Sequence, residues 1–173
     1  MPALPAAGPL TLLCWGLGLA AGTVSPAPAQ APPALEFAGL RPGMSRADAD
    51  SVLRVQGAAL ACQPTRQPRI HACSAQLRDP VTGPRTVTVS LVDGRAGIVL
   101  VAGPASAQTI ADWHAALVDR YGAVGVSRQP GQESFQWVRR NQMLRLTVRR
   151  ETGGLVASVS LVDGALLDGL PPP

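Results

Sequence analysis

Apolar and polar residues alternate with two different periods along the chain, and the helical period comes first. Residues Arg46 to Gln56 carry apolar side chains three and four positions apart, which predicts an amphipathic helix. Ser45 can cap its first turn, and Asp48 three residues later completes a capping-box pattern. Gly57 is the residue type that commonly ends a helix.

A second helix is predicted in the same way about 64 residues later, from the matching positions of Ser45 and Thr109. Thr109 is the expected N-cap, and Asp112 three residues later completes a capping-box pattern. Gly122 is expected to end the helix. The apolar stripe of this helix consists of Ile110, Trp113, Leu117 and Tyr121.

The rest of the chain alternates with the period of two that is typical of strands, interrupted by Gly, Pro and Asn turn signals. The predicted strands cover residues 71–78, 86–92, 97–102, 134–140, 143–150 and 155–162. Antiparallel pairing is expected because the connections are short.

The hexapeptide Val-Ser-Leu-Val-Asp-Gly occurs twice, at residues 89–94 and 159–164. Each copy follows a predicted helix and ends in Asp-Gly, a hairpin dipeptide. The repeat predicts an α+β fold of two tandem helix-plus-antiparallel-sheet units packed as a two-layer structure. The first unit is expected at residues 37–104 and the second at residues 105–170.

The beginning of the chain has the pattern of a signal peptide. Residues 1–29 hold no charged side chain, and Leu10 to Ala21 is an apolar run too short for a membrane span. Ala27 and Ala29 favour cleavage before Gln30, although a disordered Pro/Ala-rich leader is the alternative. Residues 30–36 are then a flexible linker, residues 171–173 a frayed tail, and the mature chain is periplasmic or secreted without a transmembrane segment.

The composition of the chain limits the classes of binding partner that are expected. All fifteen basic residues are arginine, and the formal net charge is +4, which favours anionic surfaces or acidic proteins. Aromatic residues make up only 3%, which argues against stacking platforms for nucleic acid. The expected partner is therefore an envelope protein or an anionic surface.

Cys62 and Cys73 are the cysteines that remain after the predicted cleavage. A single pair in an exported protein favours a disulfide. Free thiols are the first alternative, and a metal site that adds His71 is the second, although its spacing matches no standard site. No metal and no cofactor are predicted.

His114 is the residue on which an enzymatic interpretation depends. Asp112 and Asp119 share its helix, so a small periplasmic hydrolase is conceivable. No nucleophile elbow or paired-carboxylate motif accompanies these residues, and no catalytic residue is predicted.

An arginine-rich hairpin is the candidate contact surface. Leu144, Leu146 and Val148 alternate with polar residues, as in a half-buried strand. The alternative is a solvated face whose arginines only prevent edge pairing, and the two aromatic residues are core candidates as well. The candidate contact residues are Phe135, Trp137, Arg139, Arg140, Arg145 and Arg149.

The segment Leu40-Arg41-Pro42-Gly43-Met44-Ser45-Arg46-Ala47-Asp48-Ala49, running on to Gly57, resembles the Gly-Met-Thr helix opening of the small periplasmic SmpA/OmlA (BamE-like) family. The doubled helix-and-sheet pattern is similar to the tandem arrangement of β-lactamase inhibitory proteins. The resemblance implies a non-enzymatic protein that binds other proteins through a sheet face. The sequence thus predicts a binding or envelope-associated module; a hydrolase using His114 and a structural protein without a specific ligand are the alternatives.

Overall fold

A computed structural model describes residues 33–79 and 83–170 of the chain. The predicted signal peptide, the first part of the predicted linker and the tail at residues 171–173 lie outside these residues. The elements in chain order are α1 (Arg46–Val55), β1 (Ala61–Pro64), β2 (Ile70–Asp79), β3 (Gly83–Val92), β4 (Arg95–Pro104), α2 (Ala107–Tyr121), β5 (Val126–Gln129), β6 (Gln132–Arg139), β7 (Gln142–Glu151), β8 (Gly154–Asp163) and α3 (Gly164–Asp168).

All eight described strands belong to one antiparallel sheet, in the order β1-β2-β3-β4-β8-β7-β6-β5. The prediction of an α+β fold made of two tandem helix-plus-sheet units is therefore wrong. The described chain is mostly β, and its three helices are short.

The two halves of the sheet merge because β4 and β8 pair along their length, from Ile98 opposite Val162 to Pro104 opposite Val156. Two separate sheets would each leave one of these strands with unpaired backbone groups at an edge. The run Gly97 to Ala102 is apolar at successive positions, as expected for a central strand. Such an apolar edge is stabilised by pairing with another strand.

The hydrophobic core lies on one face of this sheet, beneath α1 and α2. In the middle of the central strands every second residue is fully buried, including Val89, Val99 and Val159. From the helices, Leu53 and Leu117 are buried in the same cluster. We call this side of the sheet the helix-covered face.

Both long helices begin at a serine N-cap, but the cap predicted for α2 is wrong. The hydroxyl of Ser45 accepts the amide of Asp48 at 3.2 Å, so the predicted cap of α1 is confirmed. In α2 the cap is Ser106 rather than Thr109, and Thr109 donates its amide to the Ser106 hydroxyl at 3.0 Å. Ser and Thr are both common cap residues. Because α2 begins at Ala107, Thr109 already lies inside its first turn and Ser106 is the residue that precedes it.

The end of the predicted linker is packed rather than flexible. Leu35 is fully buried, and the Tyr121 hydroxyl accepts the amide of Glu36 at 2.8 Å. The same hydroxyl lies 3.1 Å from the carbonyl oxygen of Ala34, to which it can donate. Burial of Leu35 offsets the entropy lost when this segment is fixed.

The predicted disulfide is present. Cys62 and Cys73 are directly opposite each other in the β1–β2 pair, and their sulfurs are bonded. The bond ties the edge strand β1 to the sheet. Within the described residues, no helix has both the length and the apolar character needed to cross a membrane.

Candidate functional site

The sheet has a second face, which α1 and α2 do not cover. The short helix α3 packs on one end of it, where Val92 is buried and the Leu167 side chain lies close to Gly97. Along β3 the odd residues Val87, Val89 and Leu91 are buried, whereas Thr86 is exposed and Thr88 half-buried. The same alternation holds in the neighbouring strands, since successive side chains of a strand point to opposite faces. We call this second side the open face.

A row of mostly small side chains, five of them hydroxyl-bearing, runs across the middle of the open face. The strand register aligns this row, which comprises Gln76, Thr86, Ala102, Ser158, Thr147, Ser134 and Ser127. Side chains of this size leave the backbone close to the surface, so a partner can approach the sheet along a shallow, polar band.

The charged strand residues that the described chain places on the open face are mostly basic. They are Arg78, Arg95, Arg145, Arg149 and Glu151. Arg145 donates to the Gln136 side-chain oxygen through Nε at 3.0 Å and Nη2 at 2.6 Å, and Arg149 donates Nε to Gln132 at 2.8 Å. Both acceptors are neutral amides, so the guanidinium groups are held in place while their charge remains available.

An apolar row lies beside Arg145. Val138, Met143 and Val162 are opposite one another on β6, β7 and β8. Val138 is 60% exposed, an unusual value for a large apolar residue in a sheet. Val138, Met143, Arg145, Arg149 and Val162 together form what we call the Arg145 patch.

The six contact residues predicted from the sequence do not share one surface. Arg145 and Arg149 are on the open face, whereas Phe135 and Trp137 project to the helix-covered face. Trp137 is only 3% exposed, and its indole Nε1 donates to the carbonyl oxygen of Gly122 at 2.8 Å. It therefore holds β6 to the end of α2.

The other two predicted residues have local roles. Arg139 donates to the carbonyl oxygens of Pro33 at 3.0 Å and Tyr121 at 3.4 Å, and its guanidinium lies 5.3 Å from the centre of the Tyr121 ring. Arg140 occupies the tight β6–β7 turn with a φ of 52°. Neither belongs to the Arg145 patch.

Sequence reasoning missed the apolar members of the patch. The signal was available in β6, since Phe135 and Trp137 share one parity and Gln136 and Val138 share the other. Once the aromatic pair is assigned to the core, Val138 must point to the opposite face. Two-fold alternation then brings Val138 to the same face as Arg145 on the paired strand.

His114 lies on the helix-covered side of the sheet. Its ring centre is 4.2 Å from that of Phe135 and 6.4 Å from that of Trp137. Asp112 is exposed and accepts a hydrogen bond from Gln108 at 2.7 Å, and Asp119 is also exposed. The histidine therefore packs against aromatic rings, not against the two carboxylates considered with it.

Cys62 and Cys73 are bonded to each other and so supply no thiolate ligand to a metal. In residues 33–78 and 83–170, no three His, Cys, Asp or Glu side chains are grouped closely enough to hold a metal ion.

No protein-family model, curated protein or solved structure matches this chain.

Proposed function

We propose that this chain is a secreted or periplasmic, non-enzymatic binding module that docks an acidic protein on the open face of its sheet. The observation that carries the proposal is the Arg145 patch, in which the exposed Val138 and the half-buried Met143 and Val162 lie beside Arg145, and Arg145 and Arg149 both have neutral hydrogen-bond partners. The resemblance of its first helix opening to the SmpA/OmlA family points in the same direction.

The chemistry of the patch suits a protein partner. Arginine and methionine are enriched at protein interfaces, and arginine is a frequent centre of binding energy. Arg145 and Arg149 are pre-oriented by Gln136 and Gln132, so less side-chain entropy is lost on binding. Arg78 and Arg95 are on the same face, and this excess of positive charge favours acidic residues on the partner.

Two other anionic partners fit less well. Lipid headgroup binding typically uses clusters of about four to eight basic residues, whereas the described arginines of the open face are spread over β2, β4 and β7, and only Arg145 and Arg149 share a strand. Nucleic acid without sequence preference is usually bound by basic grooves with exposed aromatic side chains. Phe135 and Trp137 point to the helix-covered face instead.

The experiment compares wild type with two double variants that carry the same change of charge at different places. The test variant is R145E/R149E, and the control is R46E/R66E, which alters two exposed arginines of α1 and the β1–β2 loop. Each is immobilised, exposed to an extract of envelope and secreted proteins from the source organism, and eluted with salt. We expect wild type and control to retain the same acidic protein, and the test variant to bind it at least about tenfold more weakly.

Equal retention by both variants, or retention of no protein by wild type, would overturn the proposal. Vesicles containing phosphatidylglycerol provide the lipid arm of the experiment. If wild type binds them and R145E/R149E does not, while no protein is retained, the partner is a membrane surface and the proposed acidic protein is wrong.

A further inference from the structure

A cavity on the opposite side of the sheet provides a second, independent feature. It has a volume of about 530 Å³ and lies between the first half of α2 and the strands β5 to β8. Small-molecule sites in proteins usually have volumes of about 300–1,000 Å³. The cavity is thus large enough for a small molecule and far too small for a folded partner.

The cavity has an apolar floor. Phe135, Val148 and Leu155 contribute from the sheet, and Ile110 and Ala111 contribute from α2. All five are half-buried or exposed, whereas Leu144, Leu146 and Val159, nearer the middle of the helix-covered face, are fully buried. The first half of α2 therefore leaves apolar surface uncovered, and an apolar ligand would remove that surface from water.

Two of the charged side chains at the rim of the cavity form an ion pair, and a third does not. Arg128 and Glu133 form an ion pair at 2.9 Å, so their charges largely offset each other. Arg150 also lines the cavity and is exposed, and its guanidinium has no side-chain partner in the part of the chain that the structure describes. One uncompensated cation beside an apolar floor favours a ligand with an anionic end.

From this combination we infer that the cavity binds a small amphiphile with one apolar chain and a carboxylate, and that Arg150 binds the carboxylate. The apolar chain lies on Phe135, Val148 and Leu155, against α2. This site is distinct from the Arg145 patch, since the two are on opposite faces of the sheet. The two proposals can fail separately.

The test uses isothermal titration calorimetry with three probes that share a twelve-carbon chain: dodecanoate, dodecanol and dodecyltrimethylammonium, each below its micelle concentration. We expect wild type to bind dodecanoate best and the trimethylammonium compound least. Binding of the cationic probe as tightly as dodecanoate, or of none of the probes, would overturn the inference.

Two pairs of variants locate the site. A111W fills the cavity from an exposed position on α2, and A115W places the same side chain one turn further along the helix, outside the cavity lining. R150Q removes the rim cation, and R66Q makes the same change at an exposed arginine of the β1–β2 loop, away from the cavity lining. All four positions are exposed, so the variants should fold like wild type.

We expect A111W to weaken dodecanoate binding at least tenfold and A115W to leave it unchanged. R150Q should weaken dodecanoate binding about tenfold without affecting dodecanol, because only the carboxylate loses its partner. R66Q should change neither. If A111W binds like A115W, or R150Q like R66Q, the assigned site is wrong.

Discussion

The two copies of Val-Ser-Leu-Val-Asp-Gly have the same sequence but only partly the same structure. In both, the first four residues are in a strand: Leu91 and Leu161 are buried in the core, and Ser90 and Ser160 lie on the open face. The backbone differs most at the final Asp-Gly. Local sequence therefore determines the strand, and its surroundings determine the turn.

In the first copy, Asp93 and Gly94 have φ values of 49° and 76° and form the tight hairpin between β3 and β4. Asp93 is exposed and forms an ion pair with Arg69, whose Nη1 also donates to the Gly169 carbonyl oxygen at 2.9 Å. The predicted hairpin is confirmed for this copy.

In the second copy, Asp163 has a φ of −104° and caps α3, accepting the amide of Leu166 at 3.4 Å. Its side chain is nearly buried and also accepts from Gln142 at 3.2 Å. The hairpin predicted for this copy is wrong. Among the described residues no strand follows β8, because the positions beside it are already occupied by β4 on one side and β7 on the other.

The largest expected effect on stability comes from the buried leucines that the two copies share, and it should be the same in both copies. Leu91→Ala and Leu161→Ala each remove a fully buried side chain, so each should lower the free energy of unfolding by about 2–5 kcal/mol. Urea denaturation measures both. S90A and S160A, on the open face, are the controls and should stay within about 0.5 kcal/mol of wild type; a clear inequality between the two leucine variants would show that the strands are not equivalent.

The two glycines should differ in how they respond to substitution. Gly94 has a positive φ, and the space that a Cβ would occupy there is open, so G94A should cost about 1 kcal/mol and G94N less, because Asn tolerates this conformation. At Gly164 a Cβ would lie 2.9 Å from the Asn141 carbonyl oxygen. G164A should therefore cost about 1–3 kcal/mol.

Asn at position 164 should give no relief, because the obstacle is a backbone atom and not the conformation of the glycine. Thermal unfolding of the four variants tests this. Recovery of stability in G164N relative to G164A would contradict the steric explanation.

The two aspartates should differ by a smaller amount. D163A removes the cap of α3 and leaves the Gln142 amide without its acceptor, so we expect a loss of about 1–2 kcal/mol. D93A removes an exposed ion pair and should cost clearly less. Chemical denaturation of both variants measures the ranking, and a larger loss for D93A would reverse the assignment of roles.

The smallest expected effect is a pH dependence that belongs to the first copy. Hydrogen bonding from Arg69 lowers the pKa of Asp93 below its ordinary value of 3.8. A lowered carboxylate pKa contributes stability above the unfolded-state value, and that contribution is lost as the pH falls through the folded-state pKa. The stability difference between wild type and D93N should therefore be constant near neutral pH and shrink below about pH 4.

The comparison with D93N is needed because Asp50 also has a lowered pKa, first through its hydrogen bond from the Leu60 amide and then through Arg54. That contribution is present in both proteins and cancels. Salt should reduce the difference, since the Arg69–Asp93 pair is exposed. A difference that stays constant down to about pH 2 would show that the ion pair does not affect stability.

Much of the local structure could be predicted because it depends on neighbouring residues. The period of two placed six of the strands, the Ser45 hydroxyl marked the start of α1, and the cysteine pair indicated the disulfide. The short edge strands β1 and β5 were missed. Four residues give too little alternation for recognition, and these strands are specified by pairing with β2 and β6.

The candidate site was predicted only in part, for a similar reason. Arg145 and Arg149 were found because alternation within β7 separates them from Leu144 and Leu146. Val138 and Val162 lie on other strands, so their position beside Arg145 depends on the register between strands. The cavity at Arg150 depends in addition on how far α2 covers the sheet.

The sequence by itself determined which residues form strands and helices and which side of each strand is apolar, because these properties arise from side-chain alternation and capping over a few residues. Only the tertiary structure decided that the two halves share one sheet, through the pairing of β4 with β8. It also decided that identical Asp-Gly pairs become a hairpin in one place and a helix cap in the other. The physical reason is that backbone hydrogen bonds between distant strands, and the space left beside them, are not properties of any short segment.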